Sequence, residues 1–287
     1  MKILAANPAG NITVFVLECV HGNEERKALA SAIMADKNLG AEQVGFVFPP
    51  GTWIYGSYSG MGGKRRSTLW HLEMSGGEFC GNAARSFALY AARMQGLKGQ
   101  AKIDISISGA EGPITAEVEL SKNLASAEMP KPHTFASLEL QVPASGSSSP
   151  ECRELPLIVF NGIAHVIAPD ITPGEDIFHG IRVMVERDFP GLPAFGVMFY
   201  DTGSRFMRAL VYVRSIGSLV YESSCGSGSA ALGAWLSREL WDGSFRYAIN
   251  QSGGIIETVV QKKAGEIAGI SIGGKVLLGE PLDLLLP

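Results

Sequence analysis

The sequence lacks three features that would each indicate a particular class of protein. It has no CxxC pair, and its cysteines are too widely spaced for a structural zinc site: Cys19, Cys80, Cys152 and Cys225. It has no run of 18 apolar residues for a membrane span, and no leader-like apolar segment follows its first residues. We therefore expect a cytoplasmic protein with free thiols, no metal and no membrane partner.

Charged residues are also scarce, because they make up 18% of the chain and leave a net charge of −4. No basic stripe is present, which disfavours nucleic acid as a partner. The short basic run Lys64–Arg66 is interpreted as a solvated loop. Glycine, in contrast, is abundant at 35 of 287 residues. Such enrichment is typical of tight turns and of backbone that approaches a ligand closely.

Two segments that lie 145 residues apart resemble each other. Each begins with Cys-Gly and a small polar residue, at Cys80 and at Cys225, and continues into an Ala-rich apolar run. Alanine and leucine favour a helix over a run of this length. We therefore predict that one helix begins directly after each cysteine.

The similarity continues downstream of both cysteines. A Ser-Gly pair begins 28 residues after Cys80, at Ser108, and 27 residues after Cys225, at Ser252. Strand-like patterns lie before and after these pairs, at 103–107, 114–120, 245–249 and 255–260. The matched offsets predict a duplicated structural unit.

The repeat predicts two α/β domains, each with one Ala-rich helix against short, mostly antiparallel strands. We expect the first domain at residues 1–130 and the second at residues 131–275. The final segment, 276–287, is open to packing back on the first domain. The stretch from Pro143 to Pro150 is poor in apolar residues and is interpreted as a loop or linker between the halves.

A cysteine at the start of a helix has unusual chemistry. Unpaired backbone N–H groups at that end stabilise negative charge, so a thiol placed there has a lowered pKa and is partly thiolate at neutral pH. The same N–H groups bind carboxylates. Each helix start therefore predicts both an activated base and an anchor for an anionic substrate.

Two such helix starts acting on one substrate suit proton transfer at Cα. One thiolate removes the Cα proton from one face, and the other thiol delivers a proton to the opposite face. Each cysteine then serves as base in one direction and as acid in the other, so the pair titrates as a coupled unit. Two buried cysteines in glycine-rich turns are the plainer alternative, which two equivalent sites in a repeat disfavour.

The segments Glu78–Ala83 and Glu222–Gly228 resemble the paired cysteine motifs of the diaminopimelate epimerase superfamily. Weaker matches cover nearly the whole chain in order, at Pro8–Asn11, Glu42–Phe46, Ser252–Gly254 and Gly279–Glu280. The resemblance implies an α/β (α+β) fold of two pseudo-symmetric domains, each a curved, mostly antiparallel sheet around a central helix. It also implies an active site in the cleft and an isomerase that needs no cofactor.

The chain departs from diaminopimelate epimerases at the positions that read the distal end of their substrate. Glu73 stands where those enzymes have Asn, and their Gly-Asn-Pro-His motif is reduced to Gly162–His165. Their Glu-Arg-Gly segment ahead of the second cysteine is missing. The chain is more similar to the branch that contains histidine racemases of opine-type metallophore synthesis. That resemblance implies an amino-acid racemase, with histidine as one candidate substrate.

The resemblance also implies roles for individual residues. Cys80 and Cys225 are the predicted catalytic pair, and Glu42 is a predicted helper that holds the substrate ammonium or tunes Cys80. The predicted substrate-binding residues are Asn11, Gln43, Glu73, Gly81, Asn82, Glu222, Gly226 and Ser227. His71 is a weaker candidate for the pocket wall, whereas His165 lies in an apolar run and is interpreted as a core residue.

Other functions stay open from the sequence. A diaminopimelate epimerase is disfavoured by the missing Glu-Arg pair, and a cysteine hydrolase by the lack of a Cys/His signature. A noncatalytic amino-acid-binding module would keep the helix starts without needing thiols. No lysine stands in a convincing pyridoxal phosphate motif. We therefore expect no cofactor and an amino acid as the partner, and leave a homodimer open.

Overall fold

The computed structural model describes residues 1–58, 61–142, 151–214 and 217–285. The chain forms two compact units. The first runs from Met1 to Met129 and resumes at Ser271, and the second runs from Pro130 to Ile270. Each unit combines strands with two helices, which is the mixed α/β architecture that the sequence predicts. No helix in these ranges is long and apolar enough to cross a membrane.

The described residues form four helices and twenty strands. The helices are α1 (Asn23–Ala35), α2 (Gly81–Met94), α3 (Glu175–Asp188) and α4 (Gly226–Ser237). The first ten strands are β1 (Lys2–Asn7), β2 (Thr13–Val16), β3 (Gln43–Phe48), β4 (Trp53–Tyr58), β5 (Met61–Arg66), β6 (His71–Met74), β7 (Gln100–Ile107), β8 (Ile114–Glu119), β9 (Leu124–Met129) and β10 (Thr134–Val142). The others are β11 (Glu151–Phe160), β12 (Ile163–Pro169), β13 (Ala194–Asp201), β14 (Phe206–Val213), β15 (Ser218–Glu222), β16 (Gly243–Gln251), β17 (Gly254–Lys263), β18 (Glu266–Lys275), β19 (Leu277–Leu278) and β20 (Leu282–Asp283).

The two units pair their strands in the same order. In the first, β1–β2 is antiparallel, β2–β3 parallel, β3–β6 antiparallel, β6–β7 parallel and β7–β8 antiparallel. In the second, β11–β12, β12–β13, β13–β14, β14–β16 and β16–β17 repeat that order. Parallel strands need a crossover, and a helix lies between each parallel pair. The predicted pseudo-symmetric fold is therefore confirmed at the level of strand topology.

Helices α2 and α4 are almost completely buried. Every residue from Gly81 to Ala92 of α2 is buried, because most of the side chains are small and strands can approach closely. A Cβ at Gly81 would lie only 2.4 Å from the sulfur of Met129. The Ala-rich runs of the sequence therefore form the centres of the two units rather than surface helices.

The sheet of the first unit is covered on both faces. Side chains alternate along its strands, so Val14 of β2 and Phe46 of β3 pack with residues of α1. Their neighbours Phe15 and Val47 pack with residues of α2. The alternation fixes which polar side chains can lie beside Cys80, because only one face of the sheet meets α2.

One expectation about loops lies outside the described residues and another is wrong. The predicted loop or linker falls on residues 143–150, which the structure does not describe, and the residues on either side of it, Val142 and Glu151, pair with each other inside the second unit. The basic run Lys64–Arg66 belongs to strand β5, which pairs with β4, and is not a loop.

His165 on β12 is fully buried, as the apolar run around it predicts. Neither ring nitrogen has a hydrogen-bond partner among the described residues. Burial lowers the pKa of His165 from 6.5 to about 3. The imidazole is therefore neutral in the folded protein at physiological pH.

We expect His165 to make the fold sensitive to acid. The unfolded chain protonates this ring near pH 6.5 and the folded chain near pH 3. The stabilising contribution is thus complete above pH 6.5 and is lost as pH falls towards 3, at about 1.4 kcal/mol per pH unit. His165→Leu should flatten this part of the stability curve, as measured by urea denaturation at successive pH values.

His179 on α3 is exposed, so His179→Leu is the matched control and should leave the slope unchanged. An unaltered slope in His165→Leu would show that this ring is not the acid-sensitive group.

Candidate active site

Cys80 is the N-cap of α2. Its backbone is extended, at φ −124° and ψ 115°, and its sulfur accepts a hydrogen bond from the N–H of Ala83 at 3.4 Å. A side-chain oxygen usually occupies this position at a helix start. Here the sulfur satisfies one of the unpaired N–H groups and lies at the positive end of the helix dipole.

Cys225 occupies the equivalent position in α4. Its backbone has φ −112° and ψ 112°, and its sulfur accepts from the N–H of Gly228 at 3.3 Å. The hydroxyl of Ser227 lies 3.6 Å from the same sulfur. The prediction that one helix begins directly after each cysteine is confirmed at both places.

The matched Ser-Gly pairs hold the turns that lead into the cysteines. Ser108 Oγ donates to the carbonyl of Glu78 at 3.3 Å, and Ser252 Oγ donates to the carbonyl of Ser223 at 3.2 Å. Glu78 and Ser223 each precede their cysteine by two residues. The similar offsets seen in the sequence therefore correspond to the same hydrogen bond, formed once in each unit.

Gln251 is a supporting residue that the sequence reading missed. Its side-chain oxygen accepts the N–H of Cys225 at 2.8 Å, and its amide nitrogen donates to Ser229 at 2.9 Å. Ser229 in turn donates to the carbonyl of Cys225 at 2.7 Å. The available signal was its position immediately before Ser252. These three bonds fix both backbone groups of Cys225.

The environment of Cys225 differs from the sequence expectation. The expectation that it is partly thiolate at neutral pH is wrong, because its pKa is raised well above 9.0. Burial is the largest cause, and the neighbouring carboxylate of Glu222 adds to it by charge and by accepting a hydrogen bond from the thiol. The bonds from Ser227 and Gly228 lower the pKa but do not outweigh these effects.

Arg85 lies in the second turn of α2 and is fully buried. Its Nε donates to Asn82 Oδ1 at 3.1 Å, and its guanidinium also donates to the carbonyls of Pro8 and Lys275, at 3.0 and 3.3 Å. Burial lowers the pKa of Arg85 to about 10, against an opposing effect of the negative charge on Cys80. Arg85 therefore remains a cation at neutral pH.

A group of hydrogen-bond acceptors lies near the start of β2 and β3. The amide nitrogen of Asn11 donates to Glu42 at 2.7 Å, and Thr13 is the register partner of Gln43. The side-chain oxygens of Asn11, Thr13 and Gln43 are buried and have no partner among the described residues. We call these four residues the acceptor group. Buried acceptors without a hydrogen-bond partner require a donor, which a bound ligand could supply. Thr13 was not among the site residues predicted from the sequence.

Glu73, a predicted substrate-binding residue, lies on β6 and is engaged in a network of its own. It pairs with Phe46, whose side chain lies on the α1 face of the sheet, opposite α2. There its carboxylate lies 3.0 Å from Nε2 of His71 and 4.0 Å from the guanidinium of Arg26. His71 is buried in the same network and its Nδ1 lies 2.9 Å from Ser106 Oγ.

The remaining predicted residues lie at the first turns of α2 and α4. Gly81 and Asn82 are the first two residues of α2, and both are buried. Gly226 and Ser227 are the first two residues of α4. Glu222 ends β15 and contacts the thiol of Cys225. All of them therefore lie within one helical turn of a cysteine or in the strand that leads to it.

The sequence matches one protein family over residues 1–279. That family is described as "Histidine racemase CntK N-terminal domain". This chain belongs to it. Membership makes the protein an isomerase of the racemase class, as the sequence predicts.

Two characterised relatives align with nearly the whole chain. A histidine racemase of Fusobacterium nucleatum subsp. nucleatum is 33% identical, over 98% of this chain and 97% of the relative. A histidine racemase of Staphylococcus aureus is 28% identical, over 94% of this chain and 92% of the relative. The similarity therefore extends across both units rather than being confined to the cysteine motifs.

Solved structures share the fold at lower sequence identity. A PhzF-family phenazine biosynthesis protein of Bacillus anthracis has a TM-score of 0.65 and 14% identity, covering 100% of this chain and 99% of that one. A probable proline racemase of Agrobacterium radiobacter has a TM-score of 0.59 and 13% identity, covering 100% and 93%. At such identities the likeness concerns the fold alone.

Gly109 offers a test of how tightly the turn before Cys80 is held. It has φ +74°, and a Cβ there would lie 2.2 Å from the backbone nitrogen of Phe79. Gly109→Ala should therefore displace this turn, lower the free energy of unfolding by about 2 kcal/mol or more, and reduce racemisation. Gly112→Ala is the control, because a Cβ there meets open space.

Chemical denaturation and a racemisation assay on both variants check this prediction. Gly112→Ala should change the free energy of unfolding by no more than about 0.5 kcal/mol. Equal stability and equal activity in the two variants would contradict the proposed constraint on the turn.

Proposed function

We propose that this protein interconverts L- and D-histidine, with Cys80 and Cys225 as the acid–base pair at Cα. The observation that carries the proposal is the recurrence of one device, a cysteine whose sulfur accepts an N–H at the start of a buried helix. The family and its histidine racemase relatives support histidine as the substrate.

The proposed reaction consists of two balanced proton transfers. A thiolate takes the Cα proton, an S–H bond forms, and the electron pair of the broken C–H bond passes into the substrate carboxylate. The other cysteine, a thiol, then gives its proton to the opposite face of Cα and becomes the thiolate. The reverse reaction uses the same groups in exchanged roles. The chemistry needs reduced thiols, which suits a cytoplasmic enzyme, and it needs no cofactor.

The starts of α2 and α4 are proposed to bind the substrate carboxylate. Negative charge on that carboxylate grows as the Cα proton leaves, so fixed N–H groups aimed at it stabilise the transition state more than the ground state. Gly81, Asn82, Gly226 and Ser227 contribute through their backbone N–H groups, which are not bonded within the helix.

The acceptor group is proposed to bind the cationic part of the substrate. Glu42 supplies a negative charge, and its bond to Asn11 orients both side chains. The side-chain oxygens of Asn11 and Gln43, which have no hydrogen-bond partner within the described ranges, are acceptors that an ammonium N–H would satisfy. Glu222 already accepts a hydrogen bond from the thiol of Cys225. We therefore assign the substrate ammonium to Glu42 rather than to Glu222.

Histidine fits this chain better than diaminopimelate does. Diaminopimelate carries a second ammonium and carboxylate, and the Glu-Arg-Gly segment that would read them is missing from the sequence. Glu73 stands where diaminopimelate epimerases have Asn, and its carboxylate contacts His71 and Arg26 on the α1 face of the sheet. The proposal therefore favours a substrate with a single α-amino acid group.

Replacing either cysteine by alanine should lower the rate of racemisation by about 10²- to 10⁴-fold, because each substitution removes one proton-transfer group. Two measurements give the rate: the loss of optical rotation of one histidine enantiomer, followed by polarimetry, and the entry of deuterium at Cα, followed by NMR in D₂O. Cys19 and Cys152 are exposed, and their alanine variants serve as controls. Full activity in both Cys80→Ala and Cys225→Ala would refute the mechanism.

A panel of free amino acids, with LL- and meso-diaminopimelate included, should identify histidine as the preferred substrate. Chiral chromatography after incubation gives kcat/KM for each compound. Preference for diaminopimelate would support an epimerase instead. Tight binding of an amino acid with no deuterium entry would support a noncatalytic binding module.

A further inference from the structure

We propose that Arg85 and Glu222 hold the two cysteines in opposite protonation states in the substrate-free enzyme, Cys80 as the thiolate and Cys225 as the thiol. This inference rests on the two-cysteine function proposed above and adds two positioning residues to it. The cysteines occupy equivalent places in the repeat, so any difference between them must come from the residues around each sulfur.

The residue near Cys80 that carries this difference is a buried cation. Helical side chains point back towards the start of their helix, and Arg85 follows this rule by donating to Asn82 in the first turn of α2. Its guanidinium therefore lies beside the turn that Cys80 caps. Its partners among the described residues are an amide oxygen and two backbone carbonyls, and none is a carboxylate. A thiolate at Cys80 supplies the negative charge that a buried cation requires.

The residue near Cys225 has the opposite charge. The carboxylate of Glu222 accepts a hydrogen bond from the thiol, and Cys225 as a residue is 3% exposed. A thiolate in that place would lose the hydrogen bond, lose hydration and meet the negative charge of Glu222. All three effects favour the thiol. The N–H of Gly228, at 3.3 Å, and the hydroxyl of Ser227, at 3.6 Å, oppose them but do not outweigh them.

Other charged groups do not reverse this difference at Cys80. Helix α2 packs against β1, β7, β8 and β9. The charged side chains of these strands lie at the surface: Lys2, Lys102, Asp104, Glu117, Glu119 and Glu128. Glu78, two residues before Cys80, directs its carboxylate towards the backbone of Gly76. Arg85 therefore acts on Cys80 as a buried positive charge from within α2.

The same survey around α4 leaves Glu222 as the charge beside Cys225. Four titratable residues face α4 from the strands packed against it: His165, Tyr200, Tyr247 and Lys262. Burial lowers the pKa of His165 and raises that of Tyr200, so both are neutral at physiological pH, and the hydroxyl of Tyr247 is hydrogen-bonded to Ser237. Lys262 donates to the carbonyls of Arg238 and Leu240, at the opposite end of the helix.

A catalytic consequence follows from the unequal resting states. The resting enzyme can begin a cycle at once only with the enantiomer whose Cα proton faces Cys80. After that cycle Cys80 carries the proton and Cys225 is the thiolate. The enzyme then returns to its resting form either by a turnover in reverse or by proton exchange with solvent.

The pH dependence of alkylation tests this assignment. The substrate-free protein is treated with iodoacetamide at a series of pH values, and labelling of Cys80 and Cys225 is quantified separately by mass spectrometry. The midpoint of each curve reports ionisation, and unlike the rate it does not depend on how exposed the sulfur is. We expect the Cys80 midpoint to lie at least about 2 pH units below that of Cys225.

Three variants identify the groups responsible. Glu222→Gln should lower the Cys225 midpoint by about 1 pH unit and leave that of Cys80 unchanged. Arg85→Gln should raise the Cys80 midpoint by about 1 pH unit, whereas Arg85→Lys, which keeps the charge, should restore it. Because Arg85 is fully buried, the circular dichroism spectrum of each Arg85 variant is first compared with that of the wild type to confirm that it folds. The comparison of the Cys80 and Cys225 midpoints in the wild-type protein does not depend on these variants.

Coincident or reversed midpoints in the wild-type protein would overturn the proposal, as would an unchanged Cys225 midpoint in Glu222→Gln. The measurement contains no substrate, so it is independent of the racemisation assay. Full activity in the cysteine variants would reject the proposed function, whereas equal midpoints with inactive cysteine variants would reject this inference alone.

Discussion

The unpaired N–H groups at the start of a buried helix are the constraint around which each unit is arranged. When strands surround a helix, water is excluded from its first turn. The unpaired N–H groups of that turn must then be satisfied by protein groups or by a ligand. In both units a cysteine sulfur satisfies one of them. The small side chains of α2 and α4 follow from the same arrangement, because only small residues allow strands to surround a helix closely. Composition, helix burial and reactive thiol are thus linked physically.

The local part of this arrangement can be read from the sequence. Helix starts follow from a Cys-Gly pair ahead of an Ala-rich run, and the flanking strands follow from alternation of apolar residues, because both signals depend on neighbours in the chain. The Ser-Gly offsets could be recognised as a repeat, although their purpose could not. Only the structure shows that Ser108 and Ser252 each bond to the residue two places before a cysteine.

The parts that sequence reading missed depend on register and on distant contacts. The sequence does not show which face of the sheet Glu73 occupies, whereas the pairing of β3 with β6 places it beside Phe46 on the α1 face. Shifting a strand by one residue would reverse that outcome, and motif similarity carries no such information. Gln251 acts through partners brought close by folding, and Thr13 comes to lie beside Gln43 only when β2 pairs with β3. The pKa of Cys225 was misjudged for a related reason, because helix position is local whereas burial is not.

The strand β18 crosses from one unit to the other, and its end supplies groups that the first unit needs. Lys275 provides a carbonyl to Arg85, and Ile272 packs beside Gly81 at the start of α2. Both residues lie some 190 positions after α2 in the chain. During synthesis on the ribosome, the surroundings of Cys80 therefore stay incomplete until the last part of the chain has emerged. Cys80, made in the first third of the chain, therefore acquires its finished environment only near the end of synthesis.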